Sequence, residues 1–362
     1  MKRVHNFGAG PAALPLEILE EAKAELLDFQ GTGMSILEMS HRSKEYDAVH
    51  HEAMANVKEL IGLGDEYKVL FLGGGASLQF TMLPMNLLGP GRAADYVVTG
   101  HWSENAVKEA KLQGTVNIAA DTKENGGYTR IPRQDELKLD PKAAYVHITT
   151  NNTIYGTEWH EYPKTGNVPL VADMSSDFLS HPFDGKQFGA IYAGAQKNLG
   201  PAGVTIVILR DDLLAQCRQD LPTMLKYQTH AAKESLFNTP PVFAIYLSNL
   251  TLRWLKKNGG LAAMEKVNKA KGEVIYGAID GSNGFYRGPV AKDSRSLMNV
   301  VFRLPNEELD AKFVAEGKKA GLVGMKGHRS TGGIRVSTYN AVSLASVQAV
   351  ADFMKEFARV NG

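Results

Sequence analysis

Two patterns of apolar and polar residues take turns along this chain. Short apolar runs bounded by turn residues alternate with stretches in which apolar side chains recur every three or four positions. The first pattern belongs to buried strands and the second to amphipathic helices. LEILEEAKAELLDF carries Ile18, Leu19, Ala22, Leu26 and Phe29 at helical spacing, so a helix is predicted up to the glycine-rich GTGMS. MSHRSKEYDAVHHEAMANVKELIGL predicts a loop feeding a long amphipathic helix. YKVLFL, ADYVVTG, TVNIAA, AAYVHITT, VPLVADMSS, GAIYAGAQK and VTIVIL predict strands, with helices near LQFTMLPMNLL and ENAVKEAKL between the early ones. This alternation predicts an α/β domain whose mostly parallel sheet is covered by helices on both faces.

A long helix around AIYLSNLTLRWLKKNGG is predicted to end at Gly259-Gly260, and the texture then changes. SLMNVVFRL, the helical DAKFVAEGKKAG, the strand-like GGIRVSTY and a closing helix SLASVQAVADFMKEFARV predict a smaller α+β C-terminal domain. The expected division is an N-terminal segment 1–16 lending itself to the small domain or the active site, a large domain 17–258 and a small domain 259–362.

Composition narrows the function. The chain has 362 residues, 44% of them hydrophobic, enough for a substantial core. Forty basic against thirty-nine acidic side chains leave a net charge of +1, so no global field favours nucleic acid or an anionic membrane as partner. A bound anion must be met by local charges. The single cysteine, Cys217, rules out an intramolecular disulfide and a cysteine-cluster metal site; LLAQCRQD around it reads as a surface helix. The histidines show no metal-ligand spacing, and of His50-His51, without an acidic partner at such spacing, one or both read as solvated; no metal is predicted. No signal-peptide core or membrane-length apolar run is seen, which predicts a cytoplasmic protein.

Ligands of open α/β sheets sit beyond the carboxyl ends of strands, and three groups fall in such places. In FLGGGASLQF the strand turns through Gly73-Gly74-Gly75 into a helix starting near Ala76 and Ser77, where free N–H groups can hold a phosphate. A ligand-free tight turn reads as well from three glycines alone. Asp173 directly follows the apolar strand of VPLVADMSS; alone, it could equally cap the next turn. Lys197 ends GAIYAGAQK and meets the turn NLGPAG, with no charged side chain near it in sequence. That isolation suits a desolvated ammonium, whose pKa falls until a neutral nucleophilic amine is accessible. A strand-end lysine, a strand-end aspartate and a glycine-rich helix start together meet the needs of pyridoxal phosphate: a Schiff base, a partner for the pyridine nitrogen and a phosphate cup. Trp102, in VVTGHWSENA, is placed to stack on the ring.

These residues, with NFGAGPAALP, MSHRSKEY, TTNNTIYGTEW, YAGAQKNLGPAGVTIVILRDDLL, FNTPPVFAIYL and KGHRSTGGIRVSTYNA, resemble the phosphoserine aminotransferase family nearly end to end. That family consists of class V pyridoxal 5'-phosphate enzymes of the aspartate-aminotransferase-like fold type I. The resemblance implies that Lys197 bonds the cofactor and shuttles a proton, Asp173 pairs with the ring nitrogen, Trp102 stacks and Thr153 bonds the phenolic oxygen. It implies a phosphate site of Ala76, Ser77 and Gln196, completed by Asn238 and Thr239 of a partner chain in a homodimer. Glutamate, phosphoserine and phosphohydroxypyruvate are the implied substrates, with Arg335 on the α-carboxylate and His41, Arg42, His328 and Arg329 round the distal anion. The rival readings are another class V enzyme, such as a serine–glyoxylate aminotransferase or a desulfurase, and a non-catalytic phosphate-binding protein of the same fold.

Overall fold

The computed structural model describes residues 3–362. Its centre is one sheet of seven strands in the spatial order Tyr67–Leu72, Thr205–Arg210, Phe188–Gly194, Leu170–Asp173, Val146–Thr149, Ala93–Val98 and Thr115–Asp121. Neighbours run parallel except Thr205–Arg210, which is antiparallel to both strands beside it. The connection 195–204 explains that reversal: a parallel return needs a crossover of a dozen or more residues. Lys197 lies in this short connection. The expected α/β class with a mostly parallel sheet is therefore what the chain builds.

Alternate side chains of each strand feed two separate cores. Val69, Phe71, Ile191, Ile206 and Ile208 join one, and Leu70, Leu72, Tyr192, Val207 and Leu209 join the other. Apart from the edge strand Thr115–Asp121, which is largely exposed or half-buried, both faces are buried and the strands are nearly continuous apolar runs, which is why they stand out in the sequence. The C-terminal part pairs Asn299–Phe302 with Ile334–Ser337 in an antiparallel ladder. The helices Gly260–Asp280, Glu307–Lys319 and Leu344–Asn361 accompany it, and Ile275, Phe313 and Val347 from them share a third core with Val300 and Val336. His5–Asn6 pairs in parallel with Leu322–Val323, and Phe7 is buried in that third core. The chain then turns toward the sheet, where Ala9 O accepts from Tyr339 Oη (2.8 Å) and Ala12 N donates to Gln196 O (2.9 Å).

Two expectations change and a third, on the paired histidines, is sharpened. The first helix spans only Leu16–Ala24, not the stretch to Phe29. Asp28 accepts from the Gly33 N–H (2.8 Å), and this local bond competes with helix; Phe29 instead anchors a short turn and is buried beside Tyr246. His50 is fully buried, bonded to Glu234 O (2.6 Å) and Tyr46 Oη (3.3 Å); only His51 is exposed, and it has acidic partners in Asp47 and Glu234 at 3.2 Å each. Cys217 is buried past the short helix Asp211–Ala215 rather than on a surface helix, and burial pushes its thiol up to about 12. Among the described residues no helix is long and apolar enough to cross a membrane, and no cluster of potential metal ligands occurs.

One buried lysine ties the helix Gly260–Asp280 to the segment 338–342. Lys271, wholly buried in the helix Gly260–Asp280, donates to Thr338 O (2.7 Å), Tyr339 O (2.9 Å) and Val342 O (3.1 Å). The same segment touches the lysine turn, since Asn340 N donates to Asn198 Oδ1 (2.9 Å). Replacing Lys271 by methionine strands buried carbonyls, and an expected loss of about 2–3 kcal/mol in denaturant unfolding follows.

Candidate active site

The strands ending at Leu72, Val98, Thr149, Asp173 and Gly194 bring their following turns to one sheet edge. A cavity of about 330 Å³ opens there, between those turns and the small C-terminal part. Lys197 reaches into it, half-buried, and its Nζ donates to Thr153 Oγ1 and to Ser176 Oγ, each at 2.7 Å. The two hydroxyl oxygens are themselves 2.5 Å apart. Gly10 faces the lysine stem: its φ is +134°, and a Cβ there would lie 3.4 Å from Lys197 Cγ. Glycine is required by that backbone conformation.

Asp173, 4% exposed, lines the same cavity and accepts from the Ser175 N–H at 3.0 Å. Ser175 is held in turn, its Oγ accepting from the Gly194 N–H (3.1 Å), so the aspartate turn is tied to the end of the lysine strand. Burial raises the Asp173 carboxyl above its ordinary value, while hydrogen bonds from Ser175 and the Lys197 charge pull it back. Burial likewise lowers Lys197 to about 8; the Asp173 charge opposes the shift and Arg335 adds to it. The unfolded chain therefore holds a proton on this lysine that the folded chain has lost between about pH 8 and 10.5, so its burial cost is full below that window and fades as pH rises through it. Amine reactivity follows the neutral form. Uptake of an aldehyde by the cofactor-free protein is expected to rise as pH passes through about 8 and then level off, which stopped-flow absorbance against pH measures.

The helix Gly75–Leu87 starts at the cavity after Gly74 and Gly75, whose φ values are +86° and +67°. Its first intrahelical bond runs from the Leu78 N–H to Gly74 O, leaving the N–H groups of Gly75, Ala76 and Ser77 free at the positive end of the helix. Gln196 lines the wall opposite, and Gly194 makes room for it, since a Cβ on Gly194 would stand 2.6 Å from Gln196 Oε1. Trp102, the second residue of the helix His101–Ala110, lines the cavity with its Nε1 buried and unpartnered. Arg335 and His328 enter from the small part. Arg335 Nη1 donates to Thr153 O (3.3 Å), and its Nε is buried without a partner. Burial and the charge of Arg335 lower His328.

Other sequence candidates lie elsewhere in the single chain. Arg42, Asn238 and Thr239 are exposed and do not line the cavity, nor does half-buried His41. Arg329 is exposed next to His328 at the tip of the hairpin that carries both. The cavity as a whole suits a flat aromatic anion: a free helix N-terminus for a phosphate, an indole wall, a buried carboxyl and an amine with two hydroxyl partners.

The sequence model of the family described as aminotransferase class-V matches residues 4–350. The chain belongs to the class-V aminotransferase family. A phosphoserine aminotransferase of Geobacillus kaustophilus is 59% identical over 359 residues, 99% of each chain. The solved phosphoserine aminotransferase of Bacillus circulans subsp. alkalophilus superposes with a TM-score of 0.98 at 54% identity, covering 100% of both chains. A further structure, described as radiation damage of the Schiff base in phosphoserine aminotransferase, gives a TM-score of 0.97 at 53% identity over 99% of this chain and 100% of that one. The fold of this class-V aminotransferase is thus fold type I throughout.

Sequence reasoning missed Ser176, Ser175 and Gly10. VADMSS offered two serines right after Asp173, and a turn that bonds the carboxylate must present neighbouring side chains to the same cavity; that was the available signal. Gly10 had none, because its neighbourhood arises only when the N-terminal segment crosses to the sheet edge.

Proposed function

We infer that this chain is a pyridoxal-phosphate-dependent phosphoserine aminotransferase, which moves an amino group between glutamate and 3-phosphohydroxypyruvate and so forms O-phospho-L-serine for serine biosynthesis. The observation that carries the reading is Lys197 Nζ, held by Thr153 and Ser176 in one cavity with the buried Asp173. Cys217 lies outside that cavity with a thiol pushed up to about 12, which disfavours a desulfurase. Bound in the cavity, pyridoxal phosphate supplies an aldehyde to condense with amines and a ring that draws electrons from the substrate's Cα.

The chain's own residues do the rest. The N–H groups of Ala76 and Ser77 and the Gln196 amide would hold the phosphate, and the Trp102 indole would lie against the ring. Asp173 holds a proton on the ring nitrogen, because a cation beside the buried carboxyl offsets the burial that raises it. Thr153 and Ser176 accept hydrogen bonds from Lys197 and so aim its lone pair. Neutral Lys197 Nζ would take the proton leaving the substrate Cα and hand it on to the cofactor's aldehyde carbon, two atoms along. The Arg335 fork fits the α-carboxylate, and its unpartnered Nε is free to donate.

The division into 1–16, 17–258 and 259–362 puts Lys197 on the large part and Arg335 and His328 on the small part, with the substrate between them. The exposed Arg42, Arg329, Asn238 and Thr239 and the half-buried His41 are assigned to a site shared in a homodimer, where they supply the distal-anion pocket and the rest of the phosphate site. The test is a set of half-reactions followed by cofactor absorbance. Phosphoserine and glutamate should react at least about a hundredfold more efficiently than serine and alanine, as expected when two charge-assisted contacts are lost. Equal rates with alanine would defeat the substrate assignment.

A further inference from the structure

Beneath the cavity floor lies a second carboxyl group that the proposed chemistry leaves unused. Asp177 is 2% exposed, in the turn that follows Asp173 and Ser176. Its Oδ1 lies 2.5 Å from Thr150 Oγ1, and its Oδ2 is buried with no partner. The Asp173 carbonyl oxygen accepts from the Thr150 N–H (3.0 Å) and has the Thr150 Oγ1 3.1 Å away as a second donor for its other lone pair. A hydroxyl carries one proton and a carbonyl can only accept. If Thr150 donates to the Asp173 carbonyl, the proton in its short contact with Asp177 belongs to Asp177.

The electrostatic surroundings agree. The ionisable groups round Asp177 are Glu158 from the strand Thr157–Glu158, itself 2% exposed, Asp173 on its own turn, the buried phenol Tyr162, and Lys197, which donates to the neighbouring Ser176 Oγ. Burial raises Glu158 too, but it is the better-held carboxylate of the pair: it accepts from the Leu297 N–H at 2.6 Å, and that bond and His160 pull it back. Burial and the Glu158 charge both push the Asp177 carboxyl well above the ordinary range, and the Thr150 hydroxyl only partly opposes them. A carboxylate left there with one hydroxyl partner would be poorly compensated.

We propose that Asp177 works as a neutral carboxylic acid, a positioning residue whose proton holds Thr150 against the Asp173 carbonyl while no negative charge is added beneath Lys197. An ionised Asp177 would raise Lys197 and keep it protonated; the neutral acid leaves burial in control and the amine accessible. Only this last consequence rests on the reading of Lys197 as the reacting amine. The proton assignment stands apart from it.

The test is the infrared difference spectrum of the full chain, wild type minus Asp177→Asn, between about pH 6 and 9. A protonated-carboxyl C=O band, constant across that range and shifted in heavy water, is expected in the wild type and absent from the variant. Thr150→Val keeps the acid but removes its acceptor, so the band should move. In the same Asp177→Asn protein the pH midpoint of Lys197, read from cofactor uptake, should stay where it is. Carboxylate bands in place of the acid band overturn the proposal, as does a fall in the Lys197 midpoint, which removal of a real negative charge would cause. Should Asp177→Asn fail to fold, the Thr150→Val spectrum decides, and an unmoved band overturns the assignment. An enzyme that fails to transaminate phosphoserine would sink the functional reading yet leave the infrared result standing.

Discussion

Lys197→Ala is expected to lower turnover at least about a thousandfold, because it removes both the covalent anchor and the group that moves the substrate Cα proton. The loss should be in chemistry and not in folding. Lys197 makes two side-chain hydrogen bonds, to Thr153 and Ser176, and those hydroxyls already contact each other at 2.5 Å. Removing a buried ammonium also removes its desolvation cost, so the melting temperature of the cofactor-free variant should equal or exceed that of the wild type at neutral pH. A variant that loses activity together with its fold would show that the lysine is structural.

Asp173→Asn is the second large effect, about a hundredfold to a thousandfold in turnover. The amide keeps a carbonyl oxygen for the Ser175 N–H, so the turn can persist. It carries no charge to hold a proton on the ring nitrogen, which weakens the ring as an acceptor of electrons. A separate readout follows from the sign of the interaction: Asp173 raises Lys197, so its neutralisation should shift the pH midpoint of cofactor uptake downward from about 8. An upward or unchanged midpoint would mean that the two groups do not feel each other.

Lys197, Asp173, Trp102, Ala76 and Ser77 were legible because they follow strand ends, where period and position coincide, whereas Thr153, Gln196, His328 and Arg335 were read through the family resemblance. Lys197, Asp173, Thr153, Trp102, Gln196, Ala76, Ser77, His328 and Arg335 all reach one cavity. Lys271 shows why position mattered more than burial. Its amine is pushed down to about 7, further than that of Lys197, yet its three hydrogen bonds go to backbone carbonyls, leaving nothing to react. The helical KVNKAKGEV gave no hint of it, since which face of a helix is buried depends on what packs there. The end of the first helix was illegible for a similar reason: one Asp28–Gly33 bond outweighs a periodicity that continues to Phe29. Arg42, Asn238 and Thr239 could be read only through the family resemblance, and a single chain leaves them exposed.

The measurement that goes most directly to the centre of the account is reductive trapping of bound pyridoxal phosphate with borohydride, followed by peptide mapping of the whole chain. The account predicts one modified site, Lys197, within YAGAQKNLGPAG. Label on Lys271 or spread over surface lysines, with Lys197 unmodified, would contradict it.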